Sequence, residues 1–117
     1  MIEKRRTLWN LKRWILLALT VIGSLPSYGD ERLTIRVLSY NIHHGQGVDG
    51  RLDLERIARV IRMTHPDLVA LQEVDVGVKR SGRVHQAQRL GELTGMAVRF
   101  GPTQHYEGGL FGNAVLT

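Results

Sequence analysis

The sequence predicts an α/β fold with helices packed on a sheet, in the order β-α-β-α-β-β. Three observations predict it. Leu33, Ile35 and Val37 alternate with Thr34 and Arg36, the two-residue period of a strand. Leu54, Ile57, Ala58 and Ile61 recur at i, i+3, i+4 and i+7 behind Asp53, the pattern of a capped amphipathic helix. Leu68-Val69-Ala70-Leu71 is an unbroken apolar run between turn signals, as in a strand covered on both faces.

The elements follow in order. A strand over 33–39 runs through Tyr40-Asn41-Ile42 into a loop, 43–51, containing Gly45, Gly47 and Gly50. Asp53 caps the first helix, and Arg56, Arg59 and Arg62 take its wet side. His65-Pro66 ends it, because the residue before a proline is pushed out of helical geometry. After the second strand a polar loop is expected from Asp75 to Arg83, with Gly77 and Gly82. Val84, Ala87, Leu90 and Leu93 mark a second helix, which Gly95 closes. Ala97-Val98-Arg99-Phe100 reads as a third strand and 102–112 as a loop. Asn113-Ala114-Val115-Leu116 begins a fourth strand.

The first 29 residues read differently from the rest. Lys4, Arg5, Arg6, Lys12 and Arg13 precede an uncharged apolar stretch, 14–22, and Ser24, Ser27 and Gly29 supply small residues before Asp30. A basic start, a short apolar middle and a small-residue exit describe a secretory signal peptide, with cleavage expected after Gly29. Gly23 and Pro26 interrupt the uncharged run, which falls short of the roughly 20 apolar residues of a spanning helix. Residues 30–117 are therefore expected to be the mature domain, secreted or periplasmic. A membrane-anchored binding module is the alternative if the leader is retained.

Charge supports this division. The whole chain carries a net charge of +5, but five basic residues and one acid lie before Asp30, so the remainder is close to neutral. No basic stripe interleaved with aromatic residues remains to indicate a nucleic-acid surface. There is no cysteine, so neither a disulfide framework nor a thiolate metal site is available.

Two strings carry candidate chemistry, Ser39-Tyr40-Asn41-Ile42-His43-His44-Gly45 and Leu71-Gln72-Glu73-Val74. Asn41 and Glu73 each follow an apolar run, where an amide oxygen and a carboxylate from neighbouring strand ends can converge on one hard cation. Val37-Leu38-Ser39-Tyr40-Asn41-Ile42 followed by Asp67-Leu68-Val69-Ala70-Leu71-Gln72-Glu73-Val74 resembles the endonuclease/exonuclease/phosphatase family, which has the DNase I-like fold. Arg80-Ser81-Gly82 with Gln86-Ala87, Leu93-Thr94-Gly95-Met96 and Gly109-Leu110-Phe111-Gly112-Asn113-Ala114-Val115-Leu116-Thr117 extend the resemblance over about residues 33–117.

The resemblance implies an αββα sandwich and hydrolysis of phosphodiester or phosphomonoester bonds. It implies Mg²⁺ or Mn²⁺ as cofactor, with Asn41 and Glu73 in the metal site. The substrate would be a phosphate ester, whether nucleic acid, phospholipid head group or inositol phosphate. His43 and Asn113 are the further catalytic candidates; Arg80, His44 and Tyr106 are candidates for substrate binding. The family also supplies an Asp-x-Asn pair and a late Asp-His pair, and this sequence contains neither. Residues 30–117 are thus expected to form the N-terminal half of such a domain, with half of its site. A non-catalytic truncated fragment is the other reading. Gly45-Gln46-Gly47 lacks the third glycine and the Lys-Ser/Thr tail of a nucleotide loop.

Overall fold

The structure, a computed structural model, describes Gly29 and residues 32–117. Apart from Gly29, the signal-peptide expectation for residues 1–29 lies outside the described residues. Thr34–Thr117 form one unit. Its elements are β1 (Val37–Asn41), α1 (Leu54–Thr64), β2 (Leu68–Val76), α2 (Gln86–Thr94), β3 (Val98–Tyr106) and β4 (Gly109–Leu116). Single 3₁₀ turns lie at His43–Gly45 and Lys79–Ser81. The strands form one sheet in the order β1-β2-β4-β3, with β1 parallel to β2 and the other pairs antiparallel. The expected α/β class and element order are both present.

A parallel pair needs a crossover, and α1 provides it between β1 and β2. Asp53 caps this helix as expected, its Oδ1 accepting the Arg56 N–H at 2.8 Å, a contact worth about 1 kcal/mol. Ile57, Ala58 and Ile61 are buried, and they meet Ala87 and Leu90 of α2 over Val69, Leu71, Val74, Ala114 and Leu116 of the sheet. His65 ends α1 in the left-handed region at φ 46°.

Three expectations need correction. β1 begins at Val37 rather than Leu33, and its core-facing row is the half-buried Leu38 and Tyr40. Leu33, Ile35 and Val37 are 85%, 58% and 62% exposed. Alternation alone cannot say which face the helices cover, and here they cover the other one. β2 runs on to Val76, so the expected loop from Asp75 starts two residues late, and Asp75 is fully buried.

The third correction is a long hairpin where a loop was expected over 102–112. β3 and β4 turn at Glu107 and Gly108, both with positive φ (42° and 78°), the requirement of a two-residue type I′ turn. Pro102 lies within β3, which is an edge strand whose register shifts between Pro102 and Gln104, the setting in which proline is tolerated.

The glycines of the Gly109–Gly112 string are explained by backbone approach rather than by φ. A methyl on Gly112 would meet the Gly101 carbonyl and Pro102, and one on Gly109 would meet the 76–78 backbone. Gly112→Ala is expected to lower stability by about 1–3 kcal/mol, seen as a lower urea midpoint with an unchanged m value.

Candidate functional site

Glu73 owes its direction to a break in the ladder. Leu71 is in register with Ala114 and Val74 with Gly112, so Gln72 and Glu73 together oppose the single residue Asn113. This is a β-bulge. Strict alternation would send Glu73 to the same face as Leu71, into the core. The extra residue gives that place to Val74, which is fully buried, and leaves Glu73 half-exposed in the left-handed region at φ 58°. A non-glycine residue held there costs on the order of 1 kcal/mol, and such strain gathers at functional sites.

Asn41, at the end of β1, braces the carboxylate. Its Nδ2 donates to Glu73 Oε1 at 2.7 Å, while its Oδ1 accepts the His43 N–H at 2.9 Å. The amide therefore reaches Glu73 through its nitrogen and fixes the start of the next turn through its oxygen. His43 and His44 follow at φ 46° and 43°, ahead of Gly45 at φ 83°. The nitrogen or oxygen donor atoms of His43, His44 and Glu73 all lie within 4.8 Å of one another.

A buried glutamine holds this turn against β2. Gln86, 2% exposed, donates from Nε2 to the His44 carbonyl at 2.7 Å and accepts the Asp75 N–H on Oε1 at 3.0 Å. Gly45 passes so close that a methyl there would press on the Gln86 amide at 3.1 Å. Asp75 in turn fixes Arg80. Nε donates to Oδ2 at 2.9 Å and Nη2 to Oδ1 at 3.0 Å, the two-point geometry that favours arginine over lysine. The Arg80 guanidinium also lies 4.5 Å from the Tyr106 ring centre and 5.5 Å from that of Phe111. Its bond to Asp75 strengthens its hold on the proton.

His43, His44, Glu73, Arg80 and Tyr106 thus line one cavity of about 260 Å³, with Gln104 and Phe111 completing the wall. A larger cavity, about 600 Å³, lies along the 42–50 loop and shares His43 with it. The smaller one gathers the chemistry: a carboxylate, two imidazoles and a fixed cation. The His44 pKa is lowered, first by burial and then by the positive charges of Arg80 and His43. A neutral imidazole has a lone pair to offer a metal. A donor set of this kind can hold a divalent cation beside an anion-binding guanidinium.

Of the residues singled out from sequence, Asn41 stands behind this wall and five form part of it. Asn113 is exposed on β4, in register with Gly101, and is not part of that lining. His105 lies in β3 rather than in a loop. His65 and His85 serve as caps, the latter accepting the Gln88 N–H. Asp75 and Gln86 were missed. Besides its place in the Gln86-Ala87 string of the resemblance, the signal for Gln86 was a polar residue four positions before Leu90 on the buried face of α2.

Comparison with known proteins agrees with this architecture. The family model described as Endonuclease/Exonuclease/phosphatase family matches residues 38–117. A crystal structure described as an endonuclease/exonuclease/phosphatase from Beutenbergia cavernae DSM 12333 is 30% identical in sequence. Its TM-score is 0.53, and the match covers 71% of this chain and 25% of that one. The chain therefore spans about a quarter of the length of that relative. No curated protein matches.

Two outcomes are expected from the site geometry. Because folding lowers the His44 pKa, its contribution to stability is complete above about pH 6.5 and is lost as pH falls through the lower native value. An NMR titration of the imidazole resonances should place His44 below the ordinary value. Asp75→Ala leaves the Arg80 guanidinium without its carboxylate partner, and should cost about 3 kcal/mol in a denaturant melt.

Proposed function

Since this chain belongs to the endonuclease/exonuclease/phosphatase family, whose members generally depend on a divalent metal, we propose that its cavity contributes the metal- and phosphate-binding part of an exported phosphoesterase. The observation that carries the reading is the left-handed, Asn41-braced Glu73 carboxylate facing the same cavity as Arg80.

The residues fit a hard divalent cation. Mg²⁺ and Mn²⁺ accept one or two carboxylates and fill the remaining positions with water and substrate phosphate. One such ligand, Glu73, is in place here, and its Oε2 is free of the Asn41 bond. When bound, the cation lowers the pKa of an attacking water and offsets charge on phosphoryl oxygens. Asn41 keeps the carboxylate turned toward the cavity. Asp75 engages Arg80 through Nε and Nη2 and leaves Nη1 outside that pair, so a phosphate oxygen meets a guanidinium whose orientation is already set. Tyr106 and Phe111 limit where the rest of the ester can lie. The substrate is a phosphodiester or phosphomonoester of a nucleic acid, a phospholipid head group or an inositol phosphate.

Export rests on the basic and apolar pattern of residues 1–29. The exported protein should begin at Asp30 by intact-mass measurement; a species retaining Met1 on the membrane contradicts cleavage. For the metal, Mn²⁺ binding can be followed by loss of the free-ion paramagnetic resonance signal. Glu73→Gln should weaken it at least ~10-fold and should depress Mn²⁺-dependent hydrolysis of bis-p-nitrophenyl phosphate in parallel. Undiminished Mn²⁺ affinity in the variant overturns the reading.

A further inference from the structure

We propose that the larger cavity, about 600 Å³ along the 42–50 loop, receives the alcohol group of the phosphate ester, and that this group is uncharged and largely apolar. The inference rests on the phosphate reading above and adds the part of the substrate that the smaller cavity leaves open. The two cavities meet at His43, which lines both. Asn41 also lines the larger one, while its Nδ2 bonds Glu73 in the smaller. The alcohol group of a phosphate held at Glu73 and Arg80 can therefore cross His43 into the larger space, whose volume is in the range of small-molecule sites.

The lining sets the chemistry of that group. Tyr40, Val48, Ile57 and Val60 give the cavity apolar walls. Val48, on the loop, and Val60, on the flank of α1, are both exposed and neither belongs to the core. One exposed valine is ordinary, but two that face the same cavity from different elements give it an apolar mouth. Charge points the same way. No lysine lines the cavity, and its one arginine, Arg56, is already engaged. Nη1 donates to Asp49 Oδ2 at 3.0 Å and Nη2 to Oδ1 at 3.3 Å. A further phosphate, as on a polyphosphorylated polyol, would meet a guanidinium whose charge Asp49 already offsets.

The loop that forms one wall is closed on itself. Gln46 and Leu52 form a bridge, the Gly47 N–H donates to the Arg51 carbonyl at 2.9 Å, and Gln46 Nε2 donates to the Gly50 carbonyl at 3.0 Å. Arg56 Nη2 adds a bond to the Arg51 carbonyl at 3.3 Å. Its guanidinium rests against Gly47, where a methyl group would collide with it. A wall already ordered in this way loses little conformational freedom when a ligand arrives.

The test is calorimetric titration of the full 117-residue chain, in Mg²⁺ buffer, with 1-naphthylmethylphosphonate and with methylphosphonate. The two carry the same anion, resist hydrolysis and differ in the arm alone. The naphthyl compound should bind at least ~10-fold more tightly. Val48→Ser combined with Val60→Gln, at exposed positions outside the core, should remove most of that ratio and leave methylphosphonate affinity unchanged. Equal affinities for the two compounds, or a ratio that survives the double substitution, overturn the inference and leave the phosphate reading standing. Failure of both compounds to bind, or affinities unchanged by Arg80→Gln, removes the two readings together. Should the double variant fail to fold, ¹⁵N spectra of the unaltered protein decide the matter. The naphthyl arm should shift the amides of 46–50 and 57–60, and shifts confined to 104–111 overturn the inference.

Discussion

The extra residue in β2 is the constraint on which the candidate site depends. A strand has two faces, and one inserted residue exchanges them for everything that follows. At Gln72–Glu73 the exchange lets one continuous strand bury Leu71 and Val74 on the same side while presenting a carboxylate between them. The core and the site are therefore built from the same backbone irregularity. Burial of Val74 holds the bulge closed, and the closed bulge holds Glu73 in a conformation it would not otherwise keep.

Polar contacts then carry this position outward. Asn41 links Glu73 to the His43 backbone, Gln86 links the His44 carbonyl to Asp75, and Asp75 links to Arg80. Each link is short, and the one between Gln86 and the Asp75 N–H is buried, so the cavity wall behaves as one braced unit. No buried side-chain nitrogen or oxygen among the described residues lacks a partner, which is what a buried polar network needs if it is to stabilise rather than weaken the fold.

Much of this was legible in the sequence. The order of elements followed from period and caps, because Asp53, Pro66 and Gly95 act locally. Asn41, Glu73, His43, His44 and Arg80 could be named from their strings. The geometry could not. A bulge leaves no composition signal, so Glu73 looked like a residue beyond a strand and Asp75 like the start of a loop. The Glu107-Gly108 turn lacks the Asn-Gly or Asp-Gly signature, and Pro102 concealed an edge strand. Gln86 looked like an ordinary polar residue at a helix start, since its two partners are 42 and 11 residues away.

The order β1-β2-β4-β3 gives the sheet two unlike borders. Along β3, a proline and a register shift interrupt the outer row of amides, which discourages another strand from adding there. Along β1 no proline intervenes between Val37 and Asn41, and among the described residues no strand lies beyond it. Growth of the sheet is thereby given a direction. An incoming strand finds a continuous template at the border that ends in Asn41, so recruitment of a neighbour would take place beside the candidate site and not at the far rim.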